Sequence, residues 1–370
     1  MNEQIKNHRH DRLKNLLKDN KLKNILFLNP GLGNIDIWLQ AEEKLPTPAP
    51  FNRNSAYIFS CDGMITRLCQ TTTHPTDRDQ FPHFEDTDLS FVFDGSPVGI
   101  VNPAFLKKNV RDHLANAYPQ FDFIDLTDAF YQIKAVRSAE EIEALRKAAY
   151  EYDLLFTSMP LVIRPERLEK EVVNEIRQRM MWQGSESETP GFHTMVRLTS
   201  SNDGCASAAE PLPWPGRRIM DKDRINVSIN GYINNGCAAA LGRSFVIGEA
   251  SPLTKEYWTI ASEAQSKAAQ LARPGATLRE IDKAVNDFLK RKGLGSTGTA
   301  WIHGIGTSAY EAPRNVDSSA DWPLCEGMVL VIAPEIKPDG QDAFSCMDTF
   351  VVTKDGAVRL GHTPIELREL

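Results

Sequence analysis

The sequence predicts an α/β unit followed by a larger α+β unit in which one arrangement of elements occurs twice. Three observations carry that expectation. Up to Lys134, short β-branched and aromatic runs alternate with amphipathic helical stretches. After a break there, Ser138-Ala139-Glu140-Glu141 has the form of a capping box, the Ser at N-cap and a Glu three residues on. Beyond it, helix, proline-marked connection, helix and two strands follow one another at about 138–247 and again at about 252–353. A chain of 370 residues suits two domains, and the boundary is expected at Lys134, giving residues 1–134 and 135–370.

In the first domain, residues 4–20 read as a basic amphipathic helix with Leu13, Leu16 and Leu17 on one face. Ile25–Leu28 reads as a buried strand ended by Asn29-Pro30-Gly31. Further strands are expected at Ala56–Ser60, Ile65–Leu68, Ser90–Phe93, Gly99–Val101 and Asp122–Asp125, with a helix over Phe105–Ala117. Thr71–Asp88, rich in Thr, His, Pro and Asp, reads as an exposed loop, with His74 and His83 as surface histidines.

In the second domain the helix opened by Ser138 carries Ile142, Leu145, Ala149, Tyr152 and Phe156 on one face. A second helix is expected to start at Pro165, a residue favoured in the first turn, and to run through Val172, Val173, Ile176 and Met180. The repeat begins with a long helix over Leu253–Leu271, ended by Arg273-Pro274-Gly275. Thr277-Leu278-Arg279-Glu280 is another capping box, leading Ile281, Val285, Phe288 and Leu289 down one face. Two α-α-β-β halves facing one another would place both strand pairs around a central cleft.

Composition narrows the function classes. Hydrophobic residues at 41% and charged ones at 25% are those of an ordinary globular protein. A net charge of −7 argues against a nucleic-acid surface. No apolar run reaches the ~18 residues that span a bilayer, so no membrane partner is expected. Six cysteines without close paired spacings read as free thiols in a reducing cytoplasm.

The chemistry concentrates between Trp301 and Thr353. Ile302-His303-Gly304-Ile305-Gly306 places a titratable group in a glycine-flanked turn, where backbone can approach a ligand closely. Two strand-like runs follow, Gly327–Glu335 and Cys346–Thr353. Strand parity puts Ala333 on the face of Val331 and Glu335, and Met347 on that of Ser345 and Thr349. In the earlier half, Asn226, Ser228 and Asn230 alternate with Ile225, Val227 and Ile229, so Ser228 and Asn230 are expected in the cleft if the polar set faces inward.

This stretch resembles the pita-bread hydrolases: methionine aminopeptidase, aminopeptidase P, prolidase and creatinase. Their pattern is roughly His-Gly-Ile-Gly, a second His before Glu-x-Pro, Gly-Met-x-x-x-Ile-Glu-Pro, and Glu-Asp-Thr-x-x-Val-Thr-x-x-Gly. The frame is matched and most of the chemistry is not. His303 stands at the ligand His, but Tyr310 replaces the second His, Ala333 the Glu before Pro334, and Met347 the Glu before Asp348-Thr349. Of the two Asp ligands, the second falls on Ala240 and the first on Ser228 or Ile229, depending on register. Arg243 matches the family's Arg after the second ligand strand, and Arg197 and Glu210 lie near the rim. His193 precedes the segment in which relatives place a His used in proton transfer.

The resemblance implies a creatinase-type N-terminal α/β domain followed by a pita-bread domain, a homodimer, and no bound metal or other cofactor. It implies first a metal-independent creatinase-like enzyme, a C–N hydrolase or a lyase or cyclase. Its substrate would be a small amino-acid-like or guanidino compound. His303, Tyr310 and Glu335 would form its catalytic set, and Ser228, Asn230, Arg243, Arg197 and Met347 would bind substrate. A non-catalytic pseudo-peptidase that binds a peptide or protein is the alternative, and a working Xaa-Pro metallopeptidase comes last.

Overall fold

The computed structural model describes residues 3–28, 35–40, 55–69, 86–183, 194–202, 205–206, 216–232, 237–297, 301–338 and 343–370. His74, His83, His193 and Glu210 lie outside the described residues. The chain divides into two compact units, Met1–Lys134 and Ala135–Leu370.

In the first unit, strand β1 (Asn24–Leu28) is the centre of a five-stranded sheet. It pairs antiparallel with β2 (Ser55–Ser60), which pairs antiparallel with β3 (Ile65–Cys69). On its other side it runs parallel to β4 (Val98–Val101), followed by β5 (Phe123–Asp125). Helix α1 (Glu3–Asp19) supplies Leu13, Leu16 and Leu17 to a core with Ile25, Phe27, Trp38 and Phe130. Leu26 and Leu28 point the other way, into a second core with Ile58, Ile100 and Leu114. Both faces of β1 are covered, which is why its sequence is apolar from Ile25 to Leu28 rather than alternating. The strand expected at Ser90–Phe93 is a turn instead: the N–H groups of Val92 and Phe93 both donate to Leu89 O. That turn buries Leu89, Val92 and Phe93 together, a helical spacing that alternation alone misreads.

In the second unit, helix α2 (Ala139–Thr157) opens with the capping box of Ser138 and Glu141. Helix α3 (Glu169–Trp182) starts four residues later than Pro165 suggests. The intervening backbone is used elsewhere, Glu166 N donating to Ile219 O and Leu168 bridging to Arg218. Helices α4 (Pro252–Leu271) and α5 (Leu278–Arg291) open the second half, α5 with the expected Thr277–Glu280 box.

A ten-stranded sheet joins the halves. From one end it runs through β11 (Glu311–Arg314), β10 (Ile302–Gly304), β12 (Val329–Ile332), β15 (Met347–Thr353), β9 (Ala238–Val246), β8 (Arg224–Tyr232) and β6 (Met195–Asn202) to β7 (Cys205–Ala206). Two strands lie off this path: β16 (Gly356–Arg359) on β15, and β17 (Arg368–Glu369) on β9. The α-α-β-β halves expected from the sequence are thus α2-α3-β8-β9 and α4-α5-β12-β15. Leu330, Ile332, Phe350 and Val352 pack in one core with Ala264, Ala268, Leu278, Ile281 and Val285 of α4 and α5. The alternate residues of the same strands are left for the opposite face.

Candidate functional site

That opposite face carries the site, and register fixes which side chains reach it. Residues directly opposite in neighbouring strands share a face. Arg197 pairs with Ser228, Ser228 with Gly242, and Gly242 with Met347, giving one row across the sheet. Two residues along, Met195 pairs with Asn230 and Asn230 with Ala240. Thr349 Oγ1 accepts from Ala240 N at 2.8 Å and donates to Ala240 O at 3.0 Å, continuing that second row to Val331 and His303. Glu335 sits just past β12, in a two-stranded ribbon formed by β13 (Glu335–Ile336) with β14 (Phe344–Ser345). Together they line a cavity of about 350 Å³, within the range of small-ligand sites.

The cavity brings together every site residue expected from the sequence: His303, Tyr310, Glu335, Ser228, Asn230, Arg243, Arg197 and Met347. Register also places Ser228 and Ile229 on opposite faces. Ser228 lines the cavity, whereas Ile229 is fully buried and alternates to the other face. Sequence reading missed β6 and with it Met195 and Thr199, although Val196 and Leu198 alternating with Arg197 and Thr199 is a period-two signal. Trp301, Ala343 and Val331 complete parts of the wall.

His303 is 5% exposed. Its Nδ1 lies 2.8 Å from Gly304 O, which can only accept, so Nδ1 carries the proton and Nε2 keeps a bare lone pair. Nε2 has no hydrogen-bond partner among the described residues. Burial pushes the imidazole down to about 4, the bond to Gly304 O pulling the other way, so it is neutral at physiological pH. This backbone carbonyl, not Tyr310 or Glu311, sets the tautomer. Tyr310 instead packs its ring on the imidazole at 4.5 Å between centroids, and burial raises its hydroxyl pKa.

Glu311 faces away from this chemistry, in a buried ion pair with Arg137. It also accepts from Thr307 Oγ1 and Ser308 N. Burial opposes the Arg137 charge, but the Glu311 and Glu141 carboxylates more than offset it and its pKa is raised. The two motif glycines are explained by this corner. A Cβ on Gly306 would lie 2.1 Å from Arg137 Nη2, and one on Gly304 would lie 2.4 Å from Ala312 O.

Arg243 lines the cavity, but its expected role as a substrate-binding group is corrected by its partners. Nη2 donates to Asp348 Oδ1 and Thr363 O, Nη1 to Gly242 O, Met347 O and Asp348 Oδ2, and Nε to Pro364 O. All its donors are spent within the fold, and the side chain braces β9 against β15. Gln265 of α4 completes the brace, donating to Asp348 Oδ2 and to the carbonyls of Ile332 and Cys346.

Other groups in the cavity are less committed. Asn230 lines the cavity, and its own Oδ1 is buried with no partner among the described residues. Among the described residues Arg197 makes one polar side-chain contact, Nη1 to Glu335 Oε1 at 3.4 Å, and both side chains are about one-third exposed.

Residues 143–354, more than half of the chain, match the model of metallopeptidase family M24. The chain belongs to family M24. Among its M24 relatives, a probable dipeptidase, PepE, from Mycobacterium tuberculosis is 29% identical over 246 residues, 65% of this chain and 62% of that protein. An Xaa-Pro dipeptidase from Pyrococcus furiosus is 28% identical over 247 residues, 66% of this chain and 68% of that protein. The crystal structure of dipeptidase PepE from Mycobacterium ulcerans superposes with a TM-score of 0.77 at 21% identity, covering all of this chain and 99% of that one. The pita-bread architecture expected from the motifs is therefore correct. The functional expectation built on it is not. Relatives that carry dipeptidase names overturn the metal-independent creatinase-like enzyme acting on a guanidino or amino-acid-like compound, and they favour the peptidase reading that the sequence ranked last.

The family name implies metal ions, which the side chains at the M24 donor positions would have to hold. Those positions carry Ser228 or Ile229, Ala240, His303, Ala333 and Met347, and Tyr310 stands at the second His. Hard divalent ions need anionic oxygen ligands, and this set offers one imidazole, a phenol, a thioether, methyl groups and at most one serine hydroxyl. Among the described residues, no group of three or more His, Cys, Asp or Glu is placed to hold a metal ion. The residues at these positions do not fit a metal pair.

Proposed function

We propose that this M24 chain binds short peptides, in the first instance dipeptides, in the second-unit cavity, and does so without a metal pair. The peptide class rests on the dipeptidase names of the relatives. Binding in place of metal-dependent cleavage rests on one observation, the neutral donor set at the family's ligand positions. Attack on a peptide bond by this family's route needs a polarised water, and Ala240, Ala333 and Met347 supply neither a carboxylate nor a ligand for the ion that would polarise it.

In this reading Ser228, Asn230 and Arg197 hydrogen-bond the peptide, while Val331, Ala333 and Met347 receive apolar surface. His303 contributes Nε2 as an acceptor, and Tyr310 closes one side. A homodimer and a cytoplasmic location belong to the same proposal. Light scattering at twice the 41.4 kDa chain mass would support the dimer, and a monomer mass would remove it. No described helix is long and apolar enough to cross a membrane.

Calorimetric titration of the chain with alanyl-proline tests the main reading, first in EDTA and then with Mn²⁺ or Co²⁺ and an assay for free proline. Binding is expected in EDTA with no proline released under either condition. Cleavage that depends on added metal would instead establish the dipeptidase reading suggested by the relatives' names.

A further inference from the structure

We propose that Arg197 anchors the free C-terminal carboxylate of the ligand and that Glu335 occupies that anchor when no ligand is bound. The proposal rests on the peptide-binding reading above and names the group that selects among peptides. Three observations support it.

The first is the state of the guanidinium. Arg197 lies on the cavity face in register with Ser228, and its polar side-chain contact among the described residues is the single one to Glu335, at 3.4 Å. A guanidinium is built for a bidentate fork on a carboxylate, at about 2.7–2.9 Å per bond. One long contact leaves most of that capacity unused. The pair is partly exposed, with side chains at 38% and 35%, and such pairs contribute little to stability. Replacing Glu335 by an incoming carboxylate therefore costs little and gains a second, shorter bond.

The second observation contrasts the two arginines that line the cavity. Arg243 directs every donor at Asp348 and at backbone carbonyls, so it has nothing left for a ligand. Arg197 is the cationic side chain of the wall with donors to offer.

The third is spacing. Asn230, another residue of the cavity wall, lies two residues along β8 from Ser228, the register partner of Arg197. Two residues of strand advance about 6.5–7 Å, and two residues of extended peptide span about 7 Å. A dipeptide with its carboxylate on Arg197 thus brings its amino end to the Asn230 stretch of the wall.

Two substitutions give opposite signs. Arg197→Gln is expected to weaken alanyl-proline binding ~10–100-fold, the usual effect of losing a charged hydrogen-bond partner. Glu335→Gln removes the competitor and is expected to tighten binding or leave it unchanged. A merely structural pair would lose affinity on either side. In the wild type, alanyl-prolinamide should bind ~10–100-fold more weakly than alanyl-proline, and Arg197→Gln should erase that preference. Circular dichroism and the unfolding midpoint of each variant check that the fold is retained. If neither the acid nor the amide binds, the peptide reading itself fails. If both bind equally well and Arg197→Gln changes neither, peptide binding stands and the carboxylate anchor is wrong.

Discussion

Behind the His303 turn, Arg137 and Glu311, and Arg243 and Asp348, are buried ion pairs, each held further by backbone or side-chain bonds. In front of it, Asn230 and His303 line the cavity, His303 Nε2 with no partner among the described residues, and Arg197 holds one long contact. The same protein thus spends its polar groups in two ways. Charges in the frame are matched internally, which fixes the turn and the strand crossing. Groups in the cavity are left available, and because buried polar groups are costly unless paired, their partner is best sought in a ligand. The frame is what makes the chain recognisable as M24, while the cavity carries the departures from the family's donor set.

The frame gives the largest expected effect. Arg137 has two further nitrogens, Nε and Nη1, that are already buried without partners among the described residues. Glu311→Gln removes the one carboxylate in direct contact with this guanidinium and is expected to destabilise the chain by about 3–5 kcal/mol. Urea unfolding checks it. A loss below about 1 kcal/mol would mean the pair is not the brace described and would blur the distinction between frame and cavity.

A smaller effect belongs to the cavity side and depends on pH. His303 has a folded pKa of about 4 against 6.5 when free, so the native state binds fewer protons than the unfolded one as pH falls through this range. Its contribution is present in full above pH 6.5 and is lost as pH drops towards 4. It amounts to about 3 kcal/mol at ~1.4 kcal/mol per pH unit. Denaturant titrations of wild type and His303→Asn across that window should show the wild type falling more steeply. Parallel curves would mean that the imidazole is charged in the fold, or hydrated, and not the neutral acceptor described.

How far the sequence carried these conclusions differs between the two regions. Alternation in β8 was enough to place Ser228 and Asn230, and two capping boxes were enough to start α2 and α5, because both signals are local. The partner of Glu311 was not legible, since Arg137 lies 174 residues away and only the folded chain brings them together. The same holds for Arg243, whose motif position suggested substrate and whose actual partners come from β15 and from Thr363 and Pro364. Local pattern misled where tertiary bonding captured the backbone, at Pro165 and at Ser90–Phe93. The motif substitutions were read as losses of metal ligands, and the reaction inferred from them was overturned by the relatives, because fold and motif departures do not by themselves name a substrate.

The most direct test concerns the family's donor positions themselves. The purified chain would be dialysed against Mn²⁺, Co²⁺ or Zn²⁺, freed of unbound ion, and measured by elemental analysis, with alanyl-proline affinity determined on the same samples. The expected result is well under one ion per chain and an affinity unchanged by EDTA. One or two ions per chain, removed by EDTA together with alanyl-proline binding, would contradict a metal-free peptide site on this M24 fold.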